Sequence, residues 1–431
     1  MKIGQQGNGS VDGRPDTSAQ KIHIAMNVLG TARTDVRVMR AANALVEAGF
    51  AVTVVDLEWR EKQPTEEQLG SVHVKHVTML NWYTIRRPKA WFLLRAVFML
   101  IRSTWLLLRT PADIYHAHDT TGLPACYIAA LLKRKPLIFD AHELPLSEEI
   151  SETSWRGLIT PFTKLLTMVV SRCAGVITVS APIAREIRRR YGGPEVTLVR
   201  NVPMYQRVRR SDRLRQYLGV GPEVRIALYQ GALQANRNLE KLVQAAPFLA
   251  PNTIIALMGP DAEGLQVQLE ALIQRLGVAD RVKFVPPVPY IELLEWTASA
   301  DIGLIVYAPG HSQNVQMCLP NKLFEYLMVG LPVLVSQLDA VSELVNAYDV
   351  GRVVSSLEPV DIAAAITAML ADRDACERMR HNALSAVQND LCWEKESRAL
   401  VQLYQQILKV RKRKNVSKPS SLHSHRVGKE A

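Results

Sequence analysis

The chain has 431 residues, about three times a typical domain, so two complete cores are expected. Its hydrophobic fraction of 48% excludes wholesale disorder. Five scattered cysteines with no C-x-x-C pair fit a reducing compartment and argue against a disulfide frame or a zinc site. The net charge of +11 is uneven, because residues 409–431 hold eight Lys/Arg against one Glu. No aromatic-basic platform accompanies it, so nucleic acid is not an expected partner.

Residues 1–19 lack the long apolar core of a signal peptide and read as an unstructured leader. Strands are expected at 22–28, 51–56, 72–78, 113–117, 136–140 and 175–179, with helices such as 35–49 and 123–134 between several of them. That alternation implies parallel strands joined by crossover helices. After the first strand, NVLGTARTDVRV (27–38) contains no G-x-G-x-x-G, which argues against a dinucleotide fingerprint. Asp35 or Thr34 caps the next helix. Gly30 allows close approach of an acceptor and Arg37 is a candidate for its phosphate; a plain strand–turn–helix connection explains the stretch equally well.

AWFLLRAVFMLIRSTWLLLRT (90–110) is long and apolar yet carries Arg95, Arg102 and Arg109 on one face. Each would cost roughly 2.5–3.5 kcal/mol at a bilayer centre, so a spanning helix is rejected. Two readings remain: a crossover helix packed on the sheet, and an interfacial helix aided by Arg86, Arg87 and Lys89. At the next strand ends, YHAHD (115–119) places His118 and Asp119, and FDAHEL (139–144) places His142 and Glu143. Glu148 and Glu149 follow as candidates to orient an acceptor.

The pattern restarts with strands at 224–230, 253–258, 281–285, 301–307, 332–336 and 351–354. The Arg-, Gly- and Pro-rich stretch 192–216 between the halves reads as a hinge. The expected fold is α/β, with two doubly wound, Rossmann-like domains facing across a cleft. Their boundaries are 20–203 and 204–392, with a helix at 393–408 crossing back and a basic tail at 409–431. In such sheets, ligands sit beyond the carboxyl ends of the strands.

Two features at those ends carry the chemistry. Gly231 lets the backbone bend close to a ligand, and Arg237 follows where a guanidinium can grip a diphosphate. LPNKLFEYLMVGLPV (319–333) reads as a helix opened by Pro320 and closed by Gly330 and Pro332. Asn321, Lys322 and Glu325 share a face near its N-terminus, which favours phosphate. Glu325, one turn deeper, suits a ribose diol. DRD (372–374) lies between helices and reads as a solvated turn, not a metal motif.

Across 224–345 these pieces, with LMGPDAEG (257–264) and SADIGLIVY (299–307), resemble in order retaining glycosyltransferases of the GT-B fold, family 4. The N-terminal half matches more loosely through residue 203. The resemblance implies that Arg237 and Lys322 hold the donor diphosphate, Glu325 the ribose, and His142 the transferred sugar near its reacting carbon. The family's other glutamate falls at Met317, a departure for which Ser312, Gln313 and Asn314 are candidate replacements.

The expected activity is metal-independent, hexosyl-type transfer from a UDP-, GDP- or ADP-sugar to an acceptor hydroxyl, with no cofactor. Retention follows from the resemblance alone. The donor set is Gly231, Arg237, Asn314, Asn321, Lys322 and Glu325, and the acceptor set Gly30, Arg37, His118 and Glu143. The rivals are an epimerase or hydrolase of the same shape and a non-catalytic scaffold. A glycan or lipid-linked acceptor in cell-envelope or exopolysaccharide synthesis is expected. So is a cytoplasmic location, peripheral at the inner face of the plasma membrane through 86–110 and 409–431.

Overall fold

The computed structural model describes residues 21–58, 64–78, 89–145, 156–261 and 263–416. The expected leader, Arg86 and Arg87, Glu148 and Glu149, and the last fifteen residues lie outside them.

The first half runs β1 (His23–Asn27), α1 (Val36–Glu47), β2 (Ala51–Glu58), β3 (Glu66–Leu69), β4 (Val72–Thr78), α2 (Lys89–Arg109) and β5 (Ile114–His118). It continues with α3 (Asp119–Lys133), β6 (Leu137–Ala141), α4 (Arg156–Val170), β7 (Gly175–Thr178), α5 (Ala181–Tyr191) and β8 (Val196–Leu198). These strands form one eight-stranded sheet in the order β3-β4-β2-β1-β5-β6-β7-β8, parallel except for the edge strand β3. Fully buried runs such as IYHAH and LIFDA are what a sheet covered on both faces requires. One face carries α2, α3, α4 and α5. The other carries α1 and the last helix of the chain.

The second half runs α6 (Arg213–Leu218), β9 (Arg225–Gln230), α7 (Leu239–Ala245), β10 (Thr253–Met258), α8 (Leu265–Leu276), β11 (Val282–Val285), α9 (Leu293–Thr297) and β12 (Ile302–Ile305). Then come α10 (Gln313–Met317), α11 (Asn321–Met328), β13 (Val333–Ser336), α12 (Asp339–Tyr348), β14 (Gly351–Val354), α13 (Pro359–Ala371), α14 (Arg373–Asn389) and α15 (Trp393–Val416). Its six strands are all parallel, in the order β11-β10-β9-β12-β13-β14. Both sheets reverse their winding direction in mid-sheet, which opens a crevice at the carboxyl ends of the strands.

The structure differs from the sequence reading in three places. The stretch 192–216 is not wholly a hinge, because Val196–Leu198 adds a strand beside β7 and Arg213 opens α6. Glu66–Leu69, too polar to read as a strand, pairs with β4. The basic tail does not begin at 409: α15 runs on to Val416, and Arg411 donates to the Asp113 carbonyl at 3.2 Å. Lysine and arginine are good helix formers and favour a helix C-terminus, so the basic run extends the helix.

α15 returns to the first half. Its Leu403 packs so closely that a Cβ on Gly175 would lie 3.0 Å from it. Glu396 pairs with Arg200 at 2.6 Å, and the Tyr404 hydroxyl meets His116 Nδ1 at 2.6 Å. Asp372, the first residue of the DRD stretch, caps α14 by accepting from the Ala375 N–H.

Candidate active site

The carboxyl ends of the two sheets enclose a cavity of about 1070 Å³, lined from both halves. The turn after β1 contributes Gly30 and Asp35, and the turn after β6 contributes His142 and Glu143. From the second half come Gly231 and Arg237 after β9, Tyr307 after β12, and Asn314, Asn321, Lys322 and Glu325 around α10 and α11.

Backbone shape makes room in the second half. Gly231 has φ 127°, and a Cβ there would sit 2.9 Å from Lys322 Nζ. Gly259 has φ 146°, and a Cβ there would lie 2.2 Å from the Gly231 carbonyl oxygen. Both positions therefore demand glycine. Pro320 leads into α11, and Gly330 closes it in the left-handed region.

Two cations meet over aromatic rings. Lys322 Nζ lies 3.8 Å from the centre of the Tyr229 ring and 5.3 Å from that of Tyr307. The Arg237 guanidinium lies 4.6 Å from the same Tyr307 ring. Among the described residues neither has a carboxylate partner within ion-pair distance. Burial, then the nearby Arg237 charge, holds the Lys322 ammonium well below the usual lysine range, against the pull of Glu325. Such a pair is matched to an anionic ligand.

Glu325 is nearly buried and accepts from Gln230 Nε2. Gln230 in turn accepts from the Thr297 hydroxyl at 2.6 Å. Burial outweighs that bond and the Lys322 charge, so the Glu325 pKa is raised. Asn321 accepts from Asn201 Nδ2 at 3.2 Å across the cleft.

The first half presents a histidine cluster built around Asp140. Asp140 Oδ2 lies 3.5 Å from His118, 3.6 Å from His142 and 3.8 Å from His116. Burial alone would raise the Asp140 pKa, but Arg37 and then His142 hold it well below the usual range. His142 is the member that reaches the cleft. Its backbone N–H and Nδ1 both meet the Asp119 carboxylate, at 2.9 and 3.2 Å. Asp119 adopts φ 57° to do so, a left-handed conformation that disfavours most side chains. Burial pulls the His142 imidazole down, yet Asp140 and Asp119 outweigh it and the net shift is upward.

His116, His118 and Asp140 also bring metal-ligand atoms within 4.8 Å of one another, the one such group among the described residues. The Arg37 guanidinium already bonds both Asp140 oxygens, at 2.6 and 3.1 Å, and supplies the local positive charge.

Ten of the sequence-assigned residues line the cavity: Gly30, His142, Glu143, Gly231, Arg237, Asn314, Asn321, Lys322, Glu325 and, by its edge, Arg37. Arg37 does not serve an acceptor phosphate. It is 5% exposed, and besides Asp140 it donates to the Val199 carbonyl at 2.9 Å. His118 is fully buried behind His142, 3.1 Å away, and does not line the cavity.

Of the three replacements for the glutamate missing at Met317, only Asn314 lines the cleft. Ser312 caps α10, and Gln313 accepts from Arg190. Met317 packs against the apolar cluster of the first half, and its carbonyl accepts from Ser180. Asn314→Ala is therefore expected to raise the donor KM about tenfold, in line with one lost polar contact of about 1–1.5 kcal/mol. Gln316→Ala, whose side chain turns away to Asp339 at 2.7 Å, is expected to leave it unchanged. Equal KM values would remove Asn314 from the donor site.

Sequence reasoning missed Gln230, Tyr307 and Asp140. Gln230 is the last residue of β9, so the strand-end rule could have found it. The pairing of Asp140 with Arg37 spans 103 residues and leaves no local signal.

Two family models match the chain. "Glycosyltransferase Family 4" covers residues 34–202, and "Glycosyl transferases group 1" covers residues 211–385. A D-inositol 3-phosphate glycosyltransferase of Geodermatophilus obscurus is 27% identical over 400 residues, covering 86% of this chain and 84% of that protein. Sucrose-phosphate synthase from Thermosynechococcus elongatus superposes with a TM-score of 0.71 at 17% identity, over 90% of this chain and 100% of that one. HepE of Anabaena, solved with UDP-glucose, superposes with a TM-score of 0.63 at 18% identity, over 91% and 100%. Those likenesses establish the two-domain fold, and the family matches name its chemistry. The chain is a glycosyltransferase of the GT-B architecture, built from a Glycosyltransferase Family 4 domain and a Glycosyl transferases group 1 domain.

Proposed function

We propose that this protein transfers a sugar from a nucleoside-diphosphate donor, held by the second half of the cleft, to a hydroxyl of an acceptor held by the first. The observation that carries the reading is the pair formed by buried Lys322 and half-buried Arg237 beside Gly231, neither within ion-pair distance of a carboxylate among the described residues. A diphosphate answers both charges and can also use the α11 N-terminus. Glu325, held by Gln230, takes the ribose hydroxyls. The uridine nucleotide in the HepE structures favours a UDP-sugar over the GDP- and ADP-forms.

The main catalytic term is stabilisation of the departing diphosphate, whose leaving oxygen gains charge in the transition state. Arg237, Lys322 and the helix end neutralise it, so the mechanism calls for no metal ion. His142, fixed by Asp119, orients the transferred sugar. Front-face attack, with the departing phosphate taking the acceptor proton, gives retention. Glu143 and the Gly30 turn receive the acceptor, which we assign to a cell-envelope glycan or its lipid-linked precursor.

A thermal-shift series with UDP, GDP and ADP tests the donor assignment. Stabilisation grows as the logarithm of ligand concentration over Kd. UDP is expected to raise Tm most, and Arg237→Ala to abolish the rise. An unchanged rise in that variant would end the assignment. Nucleotide release without acceptor would instead identify a hydrolase, and binding without transfer a scaffold.

A further inference from the structure

The layer of α2, α3 and α4 presents an apolar surface that no element among the described residues covers. On α2, Met99, Ser103 and Leu107 face the sheet and are buried. On the opposite side Leu94, Val97, Phe98, Ile101 and Trp105 form one stripe at helical spacing, with Phe98 51% and Ile101 60% exposed. A crossover helix needs only its inner stripe; this one carries two. Leu131 and Leu132, at the end of α3, are also exposed, as are Leu165 and Met168 on α4. The three helices cover the same face of the eight-stranded sheet.

Basic residues flank this surface among the described residues. Neither α2 nor α4 contains an acidic residue. The end of α3 carries Lys133, Arg134 and Lys135, and the nearby Asp113 is already paired with Lys135 at 2.8 Å. The Arg109 and Arg102 guanidiniums lie 3.9 and 5.6 Å from the Trp105 ring centre, so the cations stand beside the apolar stripe. No helix among the described residues is long and apolar enough to cross a membrane.

We propose that the α2–α3–α4 face docks on the surface of an anionic lipid bilayer, with Phe98, Ile101 and Trp105 entering the headgroup boundary and the flanking arginines and lysines meeting lipid phosphates. A protein partner would need a strongly acidic rim to match the same face; a bilayer offers apolar depth and negative charge at every point. α2 follows β4, whose end lies at the cleft side of the sheet, so the docked face stands beside the acceptor half. Docking itself does not require the donor assignment; that it presents a lipid-borne acceptor rests on the proposed function.

The experiment is flotation of the full chain with phosphatidylcholine vesicles, with and without phosphatidylglycerol. Flotation is expected only with phosphatidylglycerol and is expected to weaken as salt rises. Phe98→Glu combined with Ile101→Glu is expected to lower partition at least about tenfold, with the UDP-dependent Tm rise intact as the control for folding. Several outcomes would overturn the proposal. The wild type fails to float, or the double variant floats equally well. Neutralising Lys412 to Lys414 abolishes flotation while the stripe variant keeps it. The wild type is a dimer that the double variant dissolves without any vesicle binding, which would assign the face to a second copy. Absence of a UDP shift in the wild type counts against the donor assignment alone and leaves the docking result standing.

Discussion

Replacing Lys322 with methionine is expected to lower kcat/KM by about a hundred- to a thousandfold, the scale of losing one donor aimed at developing charge. The unliganded variant is expected to be at least as stable as the wild type. Lys322 is buried against Tyr229 and Tyr307 with no carboxylate partner within ion-pair distance among the described residues. Its ammonium is desolvated first by burial and repelled next by Arg237, and methionine fills the same space without a charge.

The pH dependence follows with a definite sign. The folded pKa of Lys322 lies below the unfolded value, so between the two the unfolded chain binds more protons. Wild-type stability therefore rises with pH across that window relative to Lys322→Met. A bound diphosphate restores the ammonium, so donor binding takes up a proton there and affinity falls as pH rises. Calorimetry in two buffers of different ionisation enthalpy measures the uptake, and urea titration measures the stability. A variant that is both active and destabilised would remove Lys322 from the phosphate site.

Asp140→Asn carries the largest expected stability effect. The substitution leaves Arg37 buried without its countercharge, which costs about 3–5 kcal/mol for a broken interior pair. Arg37 outweighs burial and holds the folded Asp140 pKa well below its unfolded value. The contribution is therefore present above the unfolded pKa, about 3.9, and is lost as pH falls through the lower folded value. Chemical unfolding at pH 7 and again in acid should show the gap between wild type and variant closing. Asp140 also lifts His142, so the variant's His142 should titrate lower by NMR. A loss under about 1 kcal/mol at pH 7 would show that the cluster is not a keystone of the first half.

Much of the second half of the site was legible because its chemistry is local. Gly231, Arg237, Lys322 and Glu325 each sit within one turn of a strand end or a helix start, and such positions face the crevice of any doubly wound sheet. The short polar strand Glu66–Leu69 and the strand Val196–Leu198 were not legible, since their hydrogen bonds come from neighbours and not from an apolar pattern of their own. The basic run after 408 was misread because charge argued for solvent, while helix propensity and the Arg411 contact with Asp113 hold it in α15.

Periodicity along the chain was enough to establish two parallel-sheet halves and a ligand crevice, because strands, crossover helices and their ends repeat at short range. It could not say which way a strand-end side chain turns. Arg37 and His118 carry the right chemistry at the right address, yet Asp140 draws both inward. That choice depends on an interior carboxylate whose partners converge from β5, β6 and α1, and only packing in three dimensions brings them together.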